Sequence, residues 1–86
     1  MDINQLINII KIKINNNLSC ENIEILDKTF LHIKHKSHDK NKFHIQLKIK
    51  SLELKKKGRL ESNKIIYKIL DKEIKNEIHS IQVLID

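Results

Sequence analysis

The first 17 residues carry hydrophobic side chains at the spacing of an amphipathic helix. One helical face collects Ile3, Leu6, Ile7, Ile10 and Ile14. Asp2 and Gln5 stand three positions apart before this run, as in a capping box at a helix N-terminus. The run Asn15–Asn17 favours turns over helix and predicts where the helix ends.

Two β-strands are predicted next, separated by a long polar connection. Residues 22–26 form a short β-branched segment that predicts the first strand. Residues 27–42 are polar and dense in His and Lys, which is typical of a connection. From residue 43 to residue 50, apolar and polar side chains alternate strictly, which predicts a second strand with one buried face. Residues 51–60 form a basic connector with room for a helical turn.

A second long helix and a third strand complete the pattern. Ser62 is the predicted N-cap of this helix, and Lys75 with Asn76 marks its end. Apolar residues at helical spacing between these points are Ile65, Ile66, Ile69, Leu70 and Ile74. The alternation of Ile81, Val83 and Ile85 then predicts the third strand, and His79 has the same parity, which places it on the same face.

The predicted order is therefore helix, strand, strand, helix, strand. A helix joins the second strand to the third, so these two strands should run parallel through a right-handed crossover. The fold class is α+β: a two-layer sandwich in which both long helices cover one face of a three-stranded mixed sheet. The 86 residues form a single domain, 1–86, with no linker or internal repeat.

Composition narrows the class of protein. The net charge is +6, but most basic residues are Lys in a sequence rich in Ile and Asn, a bias that an AT-rich genome produces without selection for a partner. The single cysteine, Cys20, excludes an internal disulfide and indicates a reducing compartment. Without a membrane span or a secretory signal, we expect a soluble cytoplasmic protein. With one glycine, Gly58, the chain cannot form a P-loop, a dinucleotide-binding loop or a KH-type GXXG clamp.

An ordered set of short motifs between residues 23 and 85 resembles the BolA family. The family's strand-and-turn pattern is apolar, Glu, two apolar, Asp, any residue, Ser or Thr, aromatic, any residue, His; residues 23–32 match it as IEILDKTFLH. Phe43 and its strand resemble the family's SHF strand, and Ser51 resembles the serine that follows. The family's helix and its closing apolar-His-Ala-Leu strand are matched by Ile65-Ile66-Tyr67, Leu70, Glu73 and Ile78-His79. The resemblance implies a BolA-like fold, which is similar to a class II KH arrangement.

The chain departs from the family pattern at three places. The Arg-His-Arg segment before the long helix is replaced by Ser62-Asn63-Lys64. Leu54 and Lys56 stand at the aromatic and glycine positions of the Phe-x-Gly turn, and Lys42 stands where many members carry the His of SHF. A family function that requires the Arg-His-Arg segment is therefore not expected to carry over unchanged.

The resemblance implies a non-enzymatic adaptor in iron–sulfur cluster assembly and trafficking. Its partner would be a monothiol glutaredoxin, and the cofactor would be a [2Fe–2S] cluster shared with that partner; alone, the chain would be a monomer or weak dimer without a cofactor. His79, at the start of the third strand, matches the family's cluster ligand, and imidazole suits iron. The second ligand would come from the connection after strand one, where His38 and then His35 stand nearest to the expected place.

Each of these histidines also has a simpler interpretation. His79 could be a rim residue bonded to a backbone carbonyl, and the loop histidines could be solvated side chains. The spacing His32-x-x-His35-x-x-His38, together with His44, also allows weak adventitious binding of zinc or nickel. Cys20 is interpreted as a partly buried small residue more readily than as a ligand or redox group.

A rival function rests on the densest basic cluster, between the second strand and the long helix. Its residues are Lys55, Lys56, Lys57, Arg59 and Lys64. The resemblance associates this region with a transcriptional role and DNA binding, and lysine contacts to phosphate would make binding salt-sensitive and indifferent to sequence. Aromatic residues for base stacking are scarce, and a single Arg serves guanine recognition. The alternatives are therefore a weak DNA-binding regulator and a solvated Lys-rich loop.

Overall fold

The computed structural model describes residues 1–32 and 42–86 of the chain. Its helices and strands, in chain order, are α1 (Ile3–Asn17), β1 (Asn22–Asp27), a short 3₁₀ helix (Thr29–His32), β2 (Phe43–Lys50), α2 (Leu52–Lys57), α3 (Arg59–Ile69), α4 (Asp71–Asn76) and β3 (Ile78–Ile85). No helix within the described ranges has the length and apolar character needed to cross a membrane.

The three strands form one mixed sheet in the order β1-β2-β3. β1 pairs antiparallel with β2, with Ile25 opposite Leu47. β2 pairs parallel with β3, with Leu47 opposite Val83. The parallel pair is joined through α2, α3 and α4, as a parallel connection requires. The predicted α+β class and the mixed three-stranded sheet are confirmed.

One face of the sheet carries the hydrophobic core and is covered by helices. β2 contributes Ile45, Leu47 and Ile49, which alternate with more polar residues, as the pattern predicts. The helices and the other strands supply Leu6, Ile10, Ile14, Ile25, Leu54, Ile66, Leu70, Ile78 and Val83. The described core is therefore built from branched aliphatic side chains, Leu, Ile and Val.

Helix ends show where the sequence pattern was sufficient and where it was not. Asp2 caps α1 in a capping box with Gln5, which confirms that prediction. The predicted N-cap Ser62 is wrong: α3 begins at Arg59, and Ser62 is buried inside it. The Ser62 hydroxyl donates a hydrogen bond to the carbonyl oxygen of Leu54 at 2.7 Å. A buried serine within a helix can bond a backbone carbonyl instead of capping, because its hydroxyl is also a donor.

The basic connector and the second long helix also differ from the prediction. Ser51 caps α2 by accepting a hydrogen bond from the Leu54 backbone N–H, so the connector holds a full six-residue helix. Gly58, with φ of +85°, turns the chain between α2 and α3 in a backbone conformation that favours glycine. The predicted single helix is interrupted at Leu70, which separates α3 from α4.

Candidate functional site

The start of β3 contains an irregularity in its pairing with β2. Phe43 lies opposite Ile78, and His44 lies opposite Ser80, so β2 advances by one residue while β3 advances by two. His79 is the extra residue, as in a β-bulge. The sequence pattern placed His79 on the same face as Ile81, Val83 and Ile85. That placement is wrong, because Ile78 takes the buried position opposite Phe43 and His79 is exposed.

The His79 ring stands beside a second imidazole from the neighbouring strand. The ring centroids of His44 and His79 are 4.7 Å apart, and the ring planes are inclined by 43°. Among the described residues, His79 forms no side-chain hydrogen bond or ion pair. Its ring nitrogens are therefore accessible at the edge of the sheet, which is what coordination by a partner-held group requires.

The sequence pattern did not predict that His44 would lie beside His79. It is 4% exposed, although it lies on the polar side of the β2 alternation. Its Nδ1 lies 2.6 Å from Oγ of Ser80, and its backbone N–H donates to Oγ1 of Thr29 at 3.1 Å. The Lys28 N–H in turn donates to the His44 carbonyl oxygen at 2.7 Å. These bonds hold His44 in place, and His44 in turn supports one side of the exposed His79 ring.

A shallow cavity of about 390 Å³ lies on the open face of the sheet next to these residues. His44, Gln46, Ser80 and Gln82 are among the residues that line it. The Gln46 side-chain amide donates to the Gln82 side-chain oxygen at 2.9 Å across the β2–β3 pair. Ile45 and Ile81 also line the cavity, so the surface beside the imidazoles presents both polar and apolar groups.

The predicted second ligands, His38 and His35, lie outside the described residues. The alternative histidine cluster for zinc or nickel also requires these two positions, so it lies only partly within the described residues. In the part of the chain that the structure describes, no three His, Cys, Asp or Glu residues come together as a metal site. His79 is therefore the predicted ligand whose surroundings are described.

The residues of the basic cluster lie around the turn between α2 and α3. Lys55, Lys56 and Lys57 form the last turn of α2, and Arg59 opens α3 after Gly58. These four side chains and Lys64 are all exposed. The cluster lies beside the C-terminal part of β3, since Lys55 and Arg59 line a cavity together with Val83 and Ile85. It is thus at the opposite end of β3 from His79.

Cys20 lies before β1, apart in sequence from the histidines. It is partly buried, as the simpler interpretation predicts. Burial raises the pKa of the Cys20 thiol, the nearby Glu53 charge raises it further, and a hydrogen bond with the Ser51 side chain opposes both. A raised pKa favours the neutral thiol, which is a poor nucleophile and metal ligand.

The fold and the site together define a small α+β protein whose exposed histidine stands on an edge strand rather than in an enclosed cleft. The model of the BolA-like protein family matches residues 14–85. That match spans most of the chain, and the chain belongs to the BolA-like family. Among curated proteins, no sequence matches this chain.

Three solved structures have the same fold. The BolA domain of SufE1 from Arabidopsis thaliana has a TM-score of 0.78 and 22% identity, covering 100% of this chain and 93% of that one. BolA1 from the same plant has a TM-score of 0.75 and 18% identity, over 91% of this chain and 86% of that one. A Bol-like protein from Babesia bovis has a TM-score of 0.69 and 15% identity, over 91% and 79% of the respective chains. At these identities the likeness shows the fold alone.

Proposed function

We propose that this chain is a non-enzymatic adaptor in iron–sulfur cluster assembly and trafficking. It docks on a monothiol glutaredoxin and supplies His79 as a ligand to a [2Fe–2S] cluster that the two proteins share. The observation that carries the proposal is the exposed His79 ring at the β3 bulge, supported by His44 at a centroid distance of 4.7 Å. A second ligand, His38 or His35, is proposed from the family resemblance.

The residues present fit the donor chemistry of such a group. Imidazole coordinates iron through a neutral ring nitrogen, so His79 must be unprotonated when it binds. Histidine in place of a thiolate raises the reduction potential of a [2Fe–2S] cluster. The work of this chain is to present one exposed imidazole at the sheet edge, while the bonds of His44 to Ser80 and Thr29 keep its neighbour fixed.

A titration with a cluster-loaded monothiol glutaredoxin tests the proposal. We expect the wild-type chain to change the visible circular dichroism of the cluster, and we expect His79→Ala to give a different spectrum. Tyr67→Ala is a control, because Tyr67 is also an exposed ring and lies on α3, outside the residues that line this surface. If His79→Ala and the wild type produce the same altered spectrum, His79 is not a ligand.

Docking and coordination can be separated in the same experiment. Backbone amide shifts measured with the apo-glutaredoxin report docking without the cluster. We expect both the wild type and His79→Ala to show shifts around the start of β3, since the docking surface extends beyond one side chain. The absence of any shift with either form of the glutaredoxin would reject this partner altogether.

A DNA-binding role is the second candidate, and one observation favours it. Five exposed cations, Lys55, Lys56, Lys57, Arg59 and Lys64, are concentrated around the α2–α3 turn. Phosphate contacts by such residues give affinity that falls steeply with salt. Changing Lys55, Lys56 and Lys57 to Gln should abolish most retention on duplex DNA at low salt. Unchanged retention of the triple variant would remove this candidate.

A further inference from the structure

β3 is a long edge strand whose protection against pairing is limited to the bulge at its start. It is eight residues long, and its sequence, IHSIQVLI, contains no Lys, Arg, Asp, Glu or Pro. The other edge strand, β1, is shorter and carries Glu24 and Asp27. Natural edge strands are commonly shortened or charged because an exposed row of backbone groups recruits other strands. The part of β3 that follows the bulge is therefore suited to binding an extended segment.

The hydrogen bonds at the C-terminal end of β3 show which backbone groups face outward. The Asp86 N–H donates to the Ile49 carbonyl at 2.8 Å, and the Asp86 carbonyl accepts from the Ser51 N–H at 3.4 Å. In a parallel pair, such residues alternate with residues whose N–H and C=O point the other way. Ile85, Val83 and Ile81 therefore direct their backbone groups away from β2. Within the described residues, no hydrogen bond from another element reaches these groups.

A groove of about 360 Å³ runs beside this outward edge. Its apolar wall comes from Leu54 and from Val83, Leu84 and Ile85. Its described lining also includes two cations, Lys55 and Arg59, and no acid. Gly58 completes the turn between them, and a side chain at that position would meet no neighbour within 4 Å. The groove thus combines open backbone groups, an apolar wall and positive charge.

We propose that the groove and the outward edge of β3 bind an extended acidic segment of a partner protein, which joins the sheet as a fourth strand. Backbone hydrogen bonds along an exposed edge supply affinity in this mode of recognition, and pockets for alternate side chains supply selectivity. The positive lining selects for Glu and Asp in the segment. A second copy of this chain fits poorly, because its own β3, IHSIQVLI, offers no Asp or Glu to Lys55 and Arg59.

The groove is separate from the histidine site, whereas Ile81 of the outward edge lies two positions after His79. The groove residues Val83–Ile85 lie four to six positions after His79, which corresponds to roughly 13–20 Å along a strand. A partner segment on this edge can therefore bind while the start of β3 remains accessible. The proposal requires neither a cluster nor a glutaredoxin.

A blocked octapeptide of alternating Glu and Val, labelled with fluorescein, is a suitable probe of the full chain. We expect saturable binding by anisotropy and amide shifts concentrated at Ile81, Val83 and Ile85. Changing Lys55 and Arg59 together to Gln should weaken binding about 3- to 10-fold, as expected for two exposed charge pairs. The matched control changes Lys68 and Lys72 to Gln, which removes equal charge from exposed positions outside the groove lining, and should stay within about twofold.

A modified peptide tests the strand pairing without changing the protein. N-methylation at alternate residues removes peptide N–H donors, and we expect at least about tenfold weaker binding. Equal affinity for the methylated peptide, or shifts that avoid β3, would overturn the proposal. An oligothymidylate of eight nucleotides that shifts the groove amides when the peptide does not would assign the surface to nucleic acid instead. A dimer by sedimentation, with β3 shifts that disappear on dilution, would assign it to a second copy.

Discussion

The hydrogen bond between His44 and Ser80 joins β2 to β3 beside His79, and its loss should have a measurable cost. Ser80 is exposed, whereas His44 is 4% exposed, and Oγ of Ser80 lies 2.6 Å from Nδ1 of His44. Ser80→Ala removes this partner from a ring nitrogen that water reaches poorly. We expect a loss of about 1–3 kcal/mol in the free energy of unfolding, the usual cost of removing one partner of a buried polar group.

Ser80→Thr is the matched control, because threonine retains the hydroxyl and suits a β-strand. It should remain within about 0.5 kcal/mol of the wild type, as for an ordinary surface substitution. Urea unfolding monitored by circular dichroism gives both values, provided that the slope with denaturant is unchanged. If Ser80→Ala is as stable as Ser80→Thr, the bond does not stabilise the strand pair, and His44 is held by its other contacts.

The ring of His44 also lies beside the ring of His79, with 4.7 Å between the centroids. His44→Phe keeps a ring beside His79, whereas His44→Ala removes it. With the cluster-loaded glutaredoxin, the Phe variant should therefore resemble the wild type in visible circular dichroism more closely than the Ala variant does. Identical spectra for the two variants would show that the neighbouring ring does not orient His79.

Three further predictions concern the core, an ion pair and the thiol. Lys13 donates to both carboxylate oxygens of the buried Glu73, at 2.8 and 2.7 Å. Lys13→Met should therefore lower the free energy of unfolding in urea by about 1–3 kcal/mol. An equal effect of Lys11→Met, at an exposed position of the same helix, would contradict the role of the pair. Leu47→Ala, at the centre of the sheet, should cost about 2–5 kcal/mol by thermal unfolding, and a loss below about 1 kcal/mol would mean that the core is loosely packed. Because the pKa of Cys20 is raised in the folded state, the thiol in the unfolded chain deprotonates first as pH rises. As pH rises above the ordinary thiol pKa of 9.0, the free energy of unfolding should therefore fall more for the wild type than for Cys20→Ala. Parallel curves of this free energy against pH for the two proteins would show that the Cys20 thiol does not contribute to the pH dependence of stability.

The sequence predicted structure best where the structure depends on local interactions or on a single buried face. Asp2 and Gln5 form the predicted capping box, because the bonds in that motif are local. The alternation from Phe43 to Lys50 predicted the buried face of β2, because one covered face imposes a period of two. Ser62 failed as a predicted cap because a serine also acts as a donor inside a helix, and its partner Leu54 belongs to another helix. That choice depends on tertiary packing.

The neighbourhood of His79 also depended on tertiary structure. The position of His79 at the start of the last strand followed from the family resemblance, but the proximity of His44 did not. His44 and His79 are 35 positions apart, and their rings meet only because β2 and β3 pair with a shift of one residue. A single sequence carries no signal of a bulge, because an inserted residue looks like any other.

The bulge explains how an exposed histidine, the proposed ligand, can stand on a strand that also closes the core. In a regular β3, residue 79 would take its place in the inward and outward alternation that continues to Ile85. The extra residue releases position 79 from that constraint, so Ile78 fills the buried position opposite Phe43 while the imidazole faces solvent. Changes at His79 should consequently alter what the edge can bind while leaving the core intact. The fold and the proposed ligand can therefore vary independently, and this independence allows loss of binding by His79→Ala to be interpreted as chemistry rather than as unfolding.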